Sequence, residues 1–299
     1  MGQIQRAGHM DVSNTVDVSS ASAVCGAVRS ILQEHFRAFD FAVLEVLFRD
    51  LQRLYEGDYP GFRACDIQYH NLQHVLDVTL AMGRLLDGCL RNPEQEVRLS
   101  SELALAGIAT ALFHDSGYIR RTRDTRHSNG AAYTRVHVSR GARFLASYLP
   151  EVGLQDIVGT CTRIIYFTGY DRDPQSIEVH GRAEYLLGTL LGTADLIAQL
   201  ADIDYAAKCR EYLYEEFVAG GLAGEQGEQS HMGTIYRSRE QLLSMTPAFI
   251  RTTMEVRLGE QFDGVHRYAA EHFGGRHLYM DAIVENCRNL EAMLATEGH

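Results

Sequence analysis

The chain is expected to be all-α, a single helical domain with additional C-terminal helices packing over it. Three observations predict this. Apolar residues recur at intervals of three and four over long stretches. Among 299 residues there are only five prolines, so those stretches are seldom interrupted. No β-branched run with period-two alternation is flanked by hairpin turns, so no sheet is expected.

Residues 1–10, ending at Met10, read as a leader or an appended segment, and 1–38 as an N-terminal leader, partly flexible. Asp40 can cap a helix through Phe41, Leu44, Leu47, Phe48, Leu51, Leu54 and Tyr55, which Gly57-Asp58-Tyr59-Pro60-Gly61 ends. A second helix is expected from His70 to Leu86, closed by Asn92-Pro93. Glu96–Phe113 is apolar on more than one face, the pattern of a central buried helix. Segment 120–135 reads as a loop or frayed helix, and helices follow at 136–148, 154–167, 180–202 and 204–218. Gly220 to Gly227 reads as a flexible joint, so the main domain is placed at 39–219 and a C-terminal helical extension of it at 220–299. That extension holds helices at 238–273, broken near Pro247, and at 277–295.

Composition removes several function classes. A formal net charge of -11 disfavours attraction to a nucleic-acid backbone or to anionic lipid. A phosphate-bearing ligand would have to be met by local positive charge or a metal, in a small pocket. The six cysteines contain no CxxC pair, which argues against both a disulfide framework and a cysteine zinc site. No apolar run reaches the roughly 18 residues a membrane span needs. A cytoplasmic protein is the default expectation, and a homodimer is compatible with the sequence.

Two segments carry chemistry. In Tyr69-His70-Asn71-Leu72-Gln73-His74-Val75-Leu76-Asp77-Val78, a helix would put His70 and His74 on one face, with Asp77 a turn further. In Ala111-Leu112-Phe113-His114-Asp115-Ser116-Gly117, an apolar helix ends in adjacent ionisable side chains, which is costly unless they have partners. A divalent cation is such a partner, and imidazole with carboxylate suits Zn, Mn or Fe and tolerates Mg. Asp195, in Gly192-Thr193-Ala194-Asp195-Leu196-Ile197, sits in an otherwise apolar helix where an unpaired carboxylate would be expensive.

Tyr69–Val78 resembles the YHNxxHAxDV signature of class I cyclic nucleotide phosphodiesterases, with Val75 where Ala is usual. Phe113-His114-Asp115 resembles the signature of the wider HD superfamily. The two motifs fall in the family's order, with the metal-type histidines about forty residues apart. The resemblance covers roughly 66–200, and segment 184–218 also resembles uncharacterised bacterial HD-domain phosphohydrolases. It implies a metal held by His74, His114, Asp115 and Asp195, with Asp202 as the fallback for the last. It implies His70 as general acid, and Asp115 as the bridge to a second, weaker metal, so one or two divalent ions per chain. Asp77 would orient His70 or His74, and Asn71 would act as a hydrogen-bonding neighbour of the site. The implied activity is hydrolysis of a phosphodiester or phosphomonoester in a small molecule, a nucleotide being the expected one.

The chain departs from the phosphodiesterase pattern at Tyr118, which stands where HDxxH has its second histidine and puts a full two-metal site in doubt. His137 lies downstream, where some superfamily members have an extra ligand; a core or surface histidine is the alternative. Arg120, Arg121, Arg123, Arg126, Arg135 and Arg140 either hold phosphate or form a solvated or docking face. Gln241 and Phe249 do not match the context of a base-binding glutamine and aromatic clamp. Two further readings stay open: a diiron oxygenase on the same fold, and a non-catalytic metal-bound nucleotide sensor.

Overall fold

The computed structural model describes residues 6–170, 172–224 and 235–297. The first helices are α1 (Ala21–His35), α2 (Ala42–Glu56), α3 (Leu72–Arg91), α4 (Ser101–Phe113), α5 (His137–Glu151), α6 (Val158–Ile164) and α7 (Gly181–Ala201). Next, α8 (Tyr205–Lys208) runs through a π-helical stretch, Cys209–Leu213, into α9 (Tyr214–Ala219). The chain closes with α10 (Arg239–Thr252), α11 (Tyr268–His272) and α12 (Leu278–Glu297). Among the described residues β pairing is confined to isolated bridges, such as Phe62 with Arg121. The molecule is all-α. No single helix among these residues is long and apolar enough to cross a membrane.

Helix α3 is the organiser, packed by α1, α4, α7 and α11. Its apolar residues are spread around it, and Val75 through Cys89 are buried apart from Asp77. Helix α4 is buried from Ala104 to Phe113, as its uniformly apolar sequence demands. The C-terminal helices fold back, α11 on α3 and α12 on α7 and α10.

Several boundaries differ from expectation for identifiable reasons. Segment 1–38 is not merely a leader: within it α1 buries Val24, Val28 and Leu32 against the core, and Asp11 pairs with the buried Arg84 at 2.6 Å. Residues 1–5 of that segment lie outside the described residues, as do 225–227 of the expected joint. Pro247 does not break its helix. It costs the bond to the Leu243 carbonyl, but buried Leu243 and Ile250 hold α10 on course. The break comes instead at Asp263 and Gly264, both at positive φ.

The helix expected from His70 starts later. Asn71 is its N-cap, the side chain accepting the His74 amide N–H at 3.1 Å. His70 therefore precedes α3 and does not share a helical face with His74.

Candidate metal centre

Three elements meet at one point: the first turn of α3, the end of α4 and the middle of α7. His74 Nε2 lies 3.4 Å from Asp115 Oδ2 and 3.5 Å from Asp195 Oδ1. His114 Nε2 lies 3.3 Å from the same Asp115 oxygen and 3.8 Å from the same Asp195 oxygen. The ligand atoms of His74, His114 and Asp115 all fall within 4.8 Å of one another.

The apolar sequence of α4 makes this corner dry. His114 and Asp115 are 1% and 2% exposed, and His114 Nε2 and Asp115 Oδ2 are buried without a hydrogen-bond partner. Such orphaned groups are expensive unless something absent from the protein chain satisfies them. His114 Nδ1 donates to the Ala111 carbonyl at 2.8 Å, so in the neutral ring Nε2 is the lone-pair nitrogen and faces the cluster. Electrostatics say what the cluster lacks. Burial works against charge on His74, but the facing carboxylates of Asp115 and Asp195 prevail and lift its pKa to about 10. Burial likewise opposes ionisation of Asp115, yet the His114 and His74 imidazoles hold it below the usual carboxylate range. The carboxylates draw positive charge into a dry corner, and a divalent cation would supply it with the imidazoles neutral. The donor set fits such an ion.

His70 sits at the rim, its ring centroid 5.7 Å from that of His74. Its Nδ1 lies 2.6 Å from Glu216 Oε2, and Glu216 Oε1 accepts the Tyr69 amide N–H at 2.6 Å. A carboxylate can only accept, so Nδ1 carries the proton and Nε2 is free to exchange one. Glu216 is buried, and it reaches the site because the π-helical stretch before α9 shifts the face the helix presents. In the sequence Glu216 was one acid among several in Glu211-Tyr212-Leu213-Tyr214-Glu215-Glu216-Phe217, and no local spacing marked it.

Asp77, expected to orient a histidine, does not take that position. It lines a small cavity with Gln73, Asp202 and Tyr279, and burial, then the charge of Asp202, raise its pKa to about 7. Asn71 serves as the α3 cap. Asp202 pairs with Lys208, whereas Asp195 faces the histidines.

Tyr118 is buried and stacks between His70 and His137, with centroids at 4.6 and 4.5 Å and ring planes within 19° and 14°. His137 therefore belongs to the site, its Nε2 3.8 Å from Asp115 Oδ1. Two glycines allow it. A Cβ on Gly117 would lie 1.9 Å from the His137 carbonyl oxygen, and one on Gly141 would lie 2.8 Å from that of His114. Burial pushes the His137 pKa below the usual histidine value, which favours its neutral form.

The arginines after the motif are largely engaged within the chain. Arg120 binds Asp66 and the His127 carbonyl, Arg140 the Gly117 and Ile119 carbonyls, and Arg135 the Gly221 carbonyl. Gln241 is used at the start of α10, where its side chain accepts the Arg237 N–H and its own N–H bonds to Ser238. Phe249 packs near Tyr170, centroids 5.9 Å apart.

With this geometry in view, comparison with solved structures is informative. The fold is similar to that of a phosphodiesterase domain. The crystal structure of the phosphodiesterase domain of the RhoPDE fusion protein from the choanoflagellate Salpingoeca rosetta matches with a TM-score of 0.56. The match covers 98% of this chain and 96% of that one, at 13% identity, and so speaks for the fold. No protein-family model and no curated protein matches the chain.

Proposed function

We propose that the chain is a metal-dependent phosphohydrolase of the HD type, cleaving a phosphodiester or phosphomonoester in a small molecule, with a nucleotide the expected substrate. One observation carries the reading: His74, His114, Asp115 and Asp195 converge, with His114 Nε2 and Asp115 Oδ2 buried and without a hydrogen-bond partner, beside an imidazole held by a buried carboxylate. The resemblance of Tyr69–Val78 to the phosphodiesterase signature and the shared fold both support it.

His74, His114, Asp115 and Asp195 would hold a divalent ion, which when bound lowers the pKa of water and polarises a phosphoryl oxygen. The chain's own residues supply the rest. Glu216 anchors Nδ1–H of His70, leaving Nε2 as the atom that gives a proton to the departing oxygen when the P–O bond breaks. Tyr118 keeps the His70 ring from rotating by stacking on it. Apolar burial around His114 excludes bulk water, strengthening each charge interaction at the cluster.

The oxygenase reading gains His137 but no second imidazole from Ile164–Phe167, where Ile164, Ile165 and Phe167 are core residues. The direct test is hydrolysis of bis(p-nitrophenyl) phosphate by stripped protein resupplied with Mn, Mg, Zn or Fe. Metal-dependent turnover that vanishes in Asp115→Ala is the expected outcome. Absence of metal binding would overturn the reading.

A further inference from the structure

We propose that a cavity behind α7, separate from the metal centre, is a binding site for a small organic anion with an apolar body. On α7, Arg182, Tyr185, Leu186 and Thr189 follow the i, i+3, i+4, i+7 spacing of one helical face, and all four line a cavity of about 430 Å³. Asp195, nine residues past Leu186, comes about 180° round the helix from it. The cavity shares no residue with the metal centre and does not depend on the metal-dependent reading.

The packing explains why the space is there. A Cβ on Gly192 would lie 2.5 Å from the Phe262 ring, and one on Gly88 would lie 1.8 Å from the Tyr268 carbonyl oxygen. Those two glycines let the chain seat tightly on α7 at Phe262 and on α3 at Tyr268. Between the two anchorages Asp263 and Gly264 turn at positive φ, and the span bridges the groove without filling it. The loop after α3 closes the far side, where Gln95 Nε2 donates to the Tyr268 hydroxyl at 2.6 Å.

The lining selects the occupant. Val97, Val179, Leu186 and Val265, with the rings of Tyr185 and Tyr268, make apolar walls. The volume falls within the roughly 300–1,000 Å³ of small-molecule sites. Two guanidinium groups join these walls. Arg267 is fixed in place, its Nη1 donating to the Asp263 and Gly264 carbonyls at 2.9 and 3.1 Å and its Cζ 5.2 Å from the Tyr268 ring centroid. Those partners are neutral carbonyls, so its charge remains to be matched. Arg182 meets Glu96 at 3.7 Å with both side chains 80% exposed, a pairing that water weakens and a ligand can replace. Against the two cations the lining has a single carboxylate, Asp263. Guanidinium forks grip carboxylate, phosphate or sulfonate oxygens, and the walls take the apolar body.

The test uses the full-length protein and the fluorescent dye 1-anilinonaphthalene-8-sulfonate. Saturable binding of one dye per chain is expected. 1-Naphthoate and 1-naphthyl phosphate should displace it, the stronger competitor identifying the acidic group. The neutral isostere 1-naphthamide should compete about ten-fold more weakly. Arg182→Gln combined with Arg267→Gln should erase that difference. Val97→Trp, which fills the cavity from its wall, should weaken dye binding itself, thermal midpoints being recorded for each variant. Naphthamide competing as well as the anions in the wild type, or dye binding that Val97→Trp leaves unchanged, would overturn the proposal. The wild-type comparison does not depend on how well either variant folds.

Discussion

The Glu216 carboxylate does two things with its two oxygens, receiving the Tyr69 N–H on one and His70 Nδ1–H on the other. Replacing it by glutamine keeps an oxygen acceptor but turns a charge-assisted hydrogen bond from Nδ1–H into a weaker neutral one. Glu216→Gln should lower kcat about 10- to 100-fold, the range typical of carboxylates that support functional histidines. KM and metal stoichiometry should stay near wild type, because both Glu216 oxygens are engaged by Tyr69 and His70 and its role is one of positioning. Steady-state kinetics check the assignment: the loss should fall on kcat, with KM little changed. A variant that lost metal along with rate would instead place Glu216 in the ion's support. Neither Glu216 nor His137 could be ranked from the sequence, since each owes its place to a partner more than fifteen residues distant.

At the level of elements, the turn after α4 and the start of α5 act as one unit. The 3₁₀ turn Ser116–Tyr118 touches α5 so closely that Gly117 has no room for a side chain. Gly117→Ala must push the His137 carbonyl, and α5 with it, away from the turn, and backbone yields less readily than a side chain end. A loss of about 1–3 kcal/mol in stability is expected, measured by chemical denaturation. The helix containing His74 shows how local chemistry can mislead. Histidines four apart suggest a shared helical face, but Asn71 between them is a better N-cap than helix residue. The chain turns at Asn71, and the two imidazoles still meet, edge to face, because the cap sets their angle.

On the scale of the whole molecule, Asp87 links the two ends of the chain to its centre. The carboxylate on α3 meets His35 of α1 at 2.6 Å, His272 of α11 at 2.7 Å and Arg91 at 2.8 Å. Burial opposes its ionisation, but hydrogen bonds from His272, His35 and Arg91 prevail and lower its pKa to about 2. The unfolded value is near 3.8, so the folded state binds fewer protons between those limits. The stabilisation is complete above about pH 4 and is lost as pH falls toward 2. Asp87→Asn should therefore cost about 1–2 kcal/mol near pH 6, a figure reduced for partial solvent screening. Urea midpoints for the two proteins should converge on acidification. A gap independent of pH down to 2 would mean that Asp87 acts by packing alone.

What the sequence by itself determined was the helical class and most helix positions, and it singled out His70, His74, His114, Asp115 and Asp195, which the fold brings to one corner. These were legible because apolar periodicity is local, and because an ionisable residue in an apolar helix advertises a missing partner. The tertiary structure decided the rest: that Glu216 and not Asp77 stands behind His70, that His137 faces Asp115, and that α1 belongs to the core. Those facts depend on a register shift in the π-helical stretch, on glycines whose value lies in what approaches them, and on ion pairs between distant segments. Each is a relation between surfaces that exists only once the chain has packed. Neighbouring residues along the chain carry no physical trace of it.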